Sequence, residues 1–213
     1  MCVHAVGPLA RGLEPAIVIA AEASAPECVP STLRITRRRL NVLAGERTSF
    51  TGSLREGDQR APAGSVVRLQ RREGRAWRTV TSTDTGPLGR FELSYRPQRT
   101  GAEALRITFP GAGAAEPIMR PLGRLEVYRL AGASWYGGSG TLACGGELTS
   151  WTVGVANKTL PCGTLVTLRY DGRTIRVPVV DRGPYVEGRE FDLTEATKRE
   201  LGFGDTGDVW TTS

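Results

Sequence analysis

Asp181 closes the apolar run Val177-Pro178-Val179-Val180 and precedes Arg182-Gly183-Pro184-Tyr185, which places a carboxyl at the end of a buried strand and the start of a tight turn. Desolvation by the flanking valines raises such a carboxyl toward neutral pH, the condition for an acid that gives up a proton and later retakes it. Arg182 opposes this only if it folds back, because adjacent strand residues point to opposite faces. The same carboxylate has a second reading, in which it orders the Arg-Gly-Pro turn through backbone hydrogen bonds. Asp192 is the candidate second carboxylate for an acid and base pair of the kind inverting glycosidases use. Its context favours a structural role: Asp192-Leu193-Thr194-Glu195 has capping-box spacing, Leu193–Leu201 reads as a helix, and Gly202 stands where a C′ glycine belongs. Asp192 is therefore expected to be an N-cap, and Glu147 a solvated surface charge.

Other chemistries find few residues to support them. The one histidine, His4, lies in the N-terminal stretch, which all but excludes His-based zinc sites and Ser-His-Asp triads. No metal and no other cofactor is expected. The four cysteines lack C-x-x-C spacing. Cys144 and Cys162 flank a loop-like stretch, and a disulfide between them would constrain the unfolded chain by roughly 3 kcal/mol, which favours an oxidising compartment. Cys28 has no evident partner unless Cys2 is retained, so it is expected to be free or intermolecular.

The elements that must position these residues are mostly strands. Residues 165–170 and 173–177 flank Asp171-Gly172, a two-residue type I′ hairpin signal. Across that turn Val166, Leu168 and Tyr170 pair with Val177, Ile175 and Arg173. Upstream, short β-rich runs recur at 49–54, 66–71, 77–83, 90–95 and 105–109, separated by Gly, Pro and Asp clusters. In the fourth, Phe91, Leu93 and Tyr95 share one face and Arg90, Glu92 and Ser94 the other. The pattern predicts a mainly β chain whose residues 33–128 form an antiparallel β-sandwich of Ig-like type, with 111–123 a loop and a last strand near 125–128. A chain of 213 residues accommodates a second domain from about 130 to 213. Residues 1–32 read as a leader or disordered N-terminus, in which Arg11, the apolar run 15–21 and Ala23-Ser24-Ala25 suggest a secretory signal. No stretch is apolar enough to span a membrane as a helix.

Charge divides the chain unevenly. Residues 1–130 carry 20 Lys/Arg against 12 Asp/Glu and residues 131–213 carry 8 against 10, so the two parts sit at +8 and −2. Arginine supplies 26 of the 28 cations, which reads first as a coding bias. The upstream domain offers no clustered nucleophile or carboxylates, so it is read as a spacer or binding module. Arg37-Arg38-Arg39 and the group Arg68, Arg71, Arg72, Arg75 and Arg78 would suit an anionic polymer, but solvated strand faces account for them. Basic charge without interleaved exposed aromatics does not suggest nucleic acid.

Four blocks in the downstream half, ASWYGG (133–138), ANKTLPCGT (156–164), VPVVDRGPY (177–185) and REFDLTEATKRELGF (189–203), together resemble the rare-lipoprotein-A-like (RlpA-like) double-psi β-barrels, relatives of expansins, barwin and family 45 endoglucanases. The resemblance covers most of residues 131–213. It implies a six-stranded barrel with one short helix and a groove for glycan strands, peptidoglycan in many bacterial members. It also implies that Asp181 is the catalytic acid, supported by a histidine at the position of Asn157. Asparagine there can hydrogen-bond a sugar but cannot transfer a proton. One carboxyl acting first as acid and then as base still suffices for a lytic transglycosylase.

Sugar binding recruits aromatic faces, and of the eight aromatics after residue 130 Tyr136, Trp151 and Tyr185 are expected to be exposed. With Asn157 and Arg182 they make up the expected glycan-binding set. The reading is a secreted or envelope protein, monomeric, acting on peptidoglycan or a related wall polysaccharide. It is either a weak lytic transglycosylase or a non-catalytic, expansin-like binding module.

Overall fold

A computed structural model describes residues 28–213. The leader reading, His4 and Cys2 lie outside them. In chain order the strands are β1 (Ser31–Arg38), β2 (Asn41–Leu43), β3 (Thr48–Glu56), β4 (Gln59–Arg60), β5 (Val66–Glu73), β6 (Ala76–Asp84), β7 (Arg90–Tyr95) and β8 (Gly101–Phe109). There follow β9 (Ile118–Tyr136), β10 (Gly140–Thr141), β11 (Glu147–Leu148), β12 (Val155–Ala156), β13 (Leu165–Tyr170), β14 (Arg173–Asp181), β15 (Phe191–Thr194), the helix α1 (Glu195–Leu201) and β16 (Thr206–Thr211). The architecture is mainly β, and α1 is the one α-helix among the described residues.

Two compact units emerge. The first takes the described residues up to Arg39, Ser49–Tyr95 and Ala104–Gly123; the second takes Leu40–Thr48, Arg96–Glu103 and Arg124–Ser213. In the first unit β3 pairs with β1, β4 and β7, and β5 pairs with β6 and β8. Strand alternation explains its core: Leu33, Phe50, Leu54, Val67, Leu69 and Leu93 are buried, while neighbours such as Arg34, Arg55 and Arg68 face out. The expectation of a loop over 111–123 is corrected at its end, because β9 begins at Ile118 and continues unbroken to Tyr136. The Gly/Pro content of that stretch hid the strand, since Leu122 and Leu125 are the only buried anchors before Val127.

In the second unit the pairing order is β15, β12, β14, β13, β16, β9, and β15 pairs again with β9, so the ring of strands closes. Its core is Val155, Val166, Leu168, Val177, Val179 and Phe191, joined by Leu193, Leu201, Phe203 and Val209. The β13–β14 hairpin has the register read from the sequence, Val166 opposite Val177, Leu168 opposite Ile175 and Tyr170 opposite Arg173. Asp171 (φ 43°) and Gly172 (φ 80°) both adopt the left-handed backbone that a type I′ turn demands.

The helix corrects the capping assignment. It starts at Glu195, not Leu193, and its N-cap is Thr194, whose hydroxyl accepts from the Thr197 amide. Asp192 lies two residues earlier in β15, opposite Ser134 of β9. Sheet pairing holds Leu193 and Thr194 extended, which overrides the local capping-box pattern. Gly202 does close the helix with left-handed backbone.

Candidate active site

Asp181 is the last residue of β14, and its carboxylate is fixed from two sides. Oδ1 accepts from the backbone amide of Arg182 at 2.8 Å and from that of Ala143 at 2.9 Å. The main chain is held as well: the amide of Asn157 donates to the Asp181 carbonyl and that of Cys144 to the Val180 carbonyl. Gly154 lets β12 come this close, since a Cβ there would lie 2.5 Å from the Val180 side chain. Asp181 thus orders the turn through Oδ1, as its second reading required. The Gly183–Pro184 peptide that follows is cis.

Cys144 and Cys162 form a disulfide with a Cα–Cα distance of 5.5 Å. It ties the turn between β10 and β11, which bears Ala143, to the loop after β12. Arg182 completes that loop from within: Nη1 donates to the carbonyls of Asn157 (3.0 Å) and Leu160 (2.8 Å), and Nη2 approaches Cys162 Sγ at 3.0 Å. Its guanidinium is therefore occupied by protein. Cys28 is also disulfide-bonded, which corrects the expectation of a free or intermolecular thiol.

Asn157 has a different occupation from the glycan contact expected of it. The residue is 3% exposed, Oδ1 accepts from the amides of Thr159 and Leu160, and Nδ2 donates to the Glu190 carbonyl. This is an Asx turn pinned to a neighbouring segment. Its side chain is committed to backbone and does not present a sugar-binding face.

Two further groups gather at Asp181. Tyr136, at the end of β9, is half-buried, and its hydroxyl is fully buried with no hydrogen-bond partner among the described residues. Burial, and then the negative charges of Asp181 and Asp192, hold this phenol protonated well above its usual range. Asp192 accepts from Ser134 Oγ at 2.7 Å. Burial pushes its carboxyl up, and the charge of Asp181 adds to this, against the Ser134 hydrogen bond and the charge of Arg189. Released from the capping role, Asp192 is the functional candidate that the sequence reading set aside.

Trp151 and Tyr185 present open faces, at 78% and 81% exposure. Trp151 lies in a turn closed by Thr149 and Thr152, with the Arg199 guanidinium 5.2 Å from its ring. Trp135 was not singled out from sequence but is also partly exposed, under Lys198 Nζ at 3.8 Å and with Nε1 donating to Asp205. Glu147 is exposed and accepts from Thr141 Oγ1. Among the described residues no group of three or more His, Cys, Asp or Glu is placed to hold a metal ion.

A closed ring of β-strands with one short helix, and an aspartate at a strand end before a Gly-Pro turn, define the class. Residues 130–210 match the family model described as "Lytic transglycolase". Over 75 residues the chain is 43% identical to the probable endolytic peptidoglycan transglycosylase RlpA of Aquifex aeolicus, covering 33% of each chain. Over 93 residues it is 36% identical to the endolytic peptidoglycan transglycosylase RlpA of Pseudomonas aeruginosa, covering 41% of this chain and 27% of that one. The C-terminal domain is an RlpA-like double-psi β-barrel domain. The chain spans about a third of the length of these curated relatives. Among solved structures, the Streptomyces papain inhibitor is similar over 40% of this chain and 92% of its own, at 25% identity and a TM-score of 0.34.

Proposed function

We propose that the six-stranded barrel of residues 130–213 acts on cell-wall glycan, peptidoglycan or a related polysaccharide, in an extracytoplasmic compartment, and that Asp181 performs the proton transfers of a lytic transglycosylase. The observation that carries this is the fixed carboxylate at the end of β14, whose Oδ1 is held by two backbone amides. In its acid form Asp181 protonates the glycosidic oxygen as the C1–O bond breaks. As carboxylate it then takes the proton of the sugar's own 6-hydroxyl while that oxygen closes on C1, so no water is consumed. Tyr136 and Asp192 lie beside Asp181 and are themselves partly desolvated, and the open rings of Trp151 and Tyr185 offer stacking faces for sugar. The disulfide supports an oxidising location. The upstream unit is read as an Ig-like sandwich that serves as a binding module.

One observation favours a second reading, a non-catalytic expansin-like module. The position where the family carries a supporting histidine holds Asn157, and its amide is turned to structural use. Digestion of purified glycan strands followed by mass spectrometry separates the two. Anhydromuramyl ends from the wild type and none from Asp181→Asn support the enzyme. Glycan binding with no such ends, unchanged by Asp181→Asn, leaves only the binding module.

A further inference from the structure

The first unit carries a cationic cleft that the barrel's chemistry does not use. Arg34, Arg55, Arg60 and Arg90 line it together with Thr32 and Ser53, and no carboxylate is among its lining residues. Sheet register explains the convergence. Thr32 of β1 is opposite Arg55 of β3, which is opposite Arg60 of β4, and Arg34 is opposite Ser53. Residues two apart on a strand share a face, so Arg34, Arg55 and Arg60 project from the same side of one sheet. Arg90 reaches the cleft from β7, which also pairs with β3.

The guanidiniums of Arg34, Arg60 and Arg90 make no hydrogen bond or ion pair among the described residues. Arg55 donates to the Asp58 carbonyl, a neutral partner. Like charges gathered on neighbouring strands repel one another, and none of the residues lining this cleft carries a negative charge to offset it. Arg34 lines a second cleft with Arg37, Arg38 and Arg120, so the cationic surface continues along β1. It ends in a third cleft, where Arg34 and Arg90 meet Asp84 and Glu92.

We infer that this face binds a linear anionic polysaccharide, one bearing a carboxylate or phosphate on its repeating units. Guanidiniums match the forked oxygens of either group, and the hydroxyls of Thr32 and Ser53 suit sugar hydroxyls. Nucleic acid fits less well: Phe91, the aromatic nearest these clefts, is buried, which leaves bases nothing to stack on. The cleft is lined wholly by residues of the first unit, so the inference does not depend on the barrel's being an enzyme.

The test uses the full chain in calorimetric titrations with polygalacturonate, phosphomannan, neutral dextran and poly(dT). Binding of polygalacturonate or phosphomannan is expected, weakening as salt rises, with none for dextran; the two charged polymers tell carboxylate from phosphate recognition. Arg34→Gln with Arg90→Gln should weaken binding about 10- to 100-fold, as loss of two charge-assisted contacts does. Arg68→Gln with Arg75→Gln, which removes equal charge from elsewhere in the same unit, should change it less than about threefold. If the first pair prevents folding, Arg60→Gln on the short β4 edge supplies the same comparison, with an expected loss of about fivefold. Equal losses from both pairs, or no binding of either charged polysaccharide at low salt, would overturn the inference. Tighter binding of poly(dT) than of both polysaccharides would reassign the face to nucleic acid.

Discussion

Arg182 in the second unit and Arg34 in the first are both arginines on or beside strands, yet they face different company. Arg182 reaches two backbone carbonyls and a disulfide sulfur, and Arg129 nearby pairs with both oxygens of Glu190. Arg34 stands exposed, with three other guanidiniums in its cleft and no hydrogen bond or ion pair to its side chain among the described residues. Asn157, Asp181 and Thr194 follow the pattern of Arg182, since each fixes backbone that strand pairing leaves unsatisfied. The barrel uses short strands such as β12 and long connections, so its polar side chains replace missing ladder bonds. In the first unit Ser31, Arg38 and Thr85 also hold backbone carbonyls, but Arg34, Arg60 and Arg90 have no such partner among the described residues.

This contrast predicts unequal costs for similar truncations. Asn157→Ala orphans two amides and a carbonyl in a buried setting, and urea unfolding should show a loss of about 3 kcal/mol. Arg37→Ala on the outer face of β1 should change stability by less than about 0.5 kcal/mol. Equal effects would end the distinction. Asn157→His, which restores the family's residue type, should also destabilise the barrel, because an imidazole cannot accept from both amides at once. Any gain in glycan cleavage must therefore be measured per folded molecule.

The next effect is smaller and separates the two capping candidates. Thr194→Ala should cost about 1 kcal/mol or somewhat more by unfolding, whereas Asp192→Asn should leave the helix signal in circular dichroism unchanged.

The smallest effect is a pH dependence. The folded state holds the Asp192 proton more tightly than the unfolded chain does, so its contribution falls as pH rises from the ordinary aspartate range through the raised folded value. Asp192→Asn should remove that decline. Wild-type and variant stability curves that run parallel across the window would show that Asp192 ionises as freely as in solvent.

Much of this was legible because it is local. The β13–β14 register follows from Asp171-Gly172 and the alternation on either side, and the upstream strands follow from period-two patterning. The capping residue was not legible. Asp192 and Thr194 are both good N-caps, and only the pairing of β15 with β9 decides between them. Tyr136 was read as exposed because glycines follow it, yet its hydroxyl is buried by residues distant in sequence. The Arg34 cleft also escaped notice, since its four arginines come from four strands and no short window contains more than two.

The disulfide links redox state to the aim of the Asp181 carboxylate. Ala143, whose amide holds the Asp181 carboxylate, is joined directly to Cys144, and Cys162 sits under the guanidinium of the residue after Asp181. While the two cysteines are thiols, the segment carrying that amide is anchored only by its hydrogen bonds and the buried side chains of Leu142 and Leu148. Oxidation adds a covalent tether between that turn and the loop after β12, so the aim of Asp181 is braced by a bond as well as by packing. A chain still in a reducing compartment would carry every residue of the site without the covalent brace that holds its carboxylate in register.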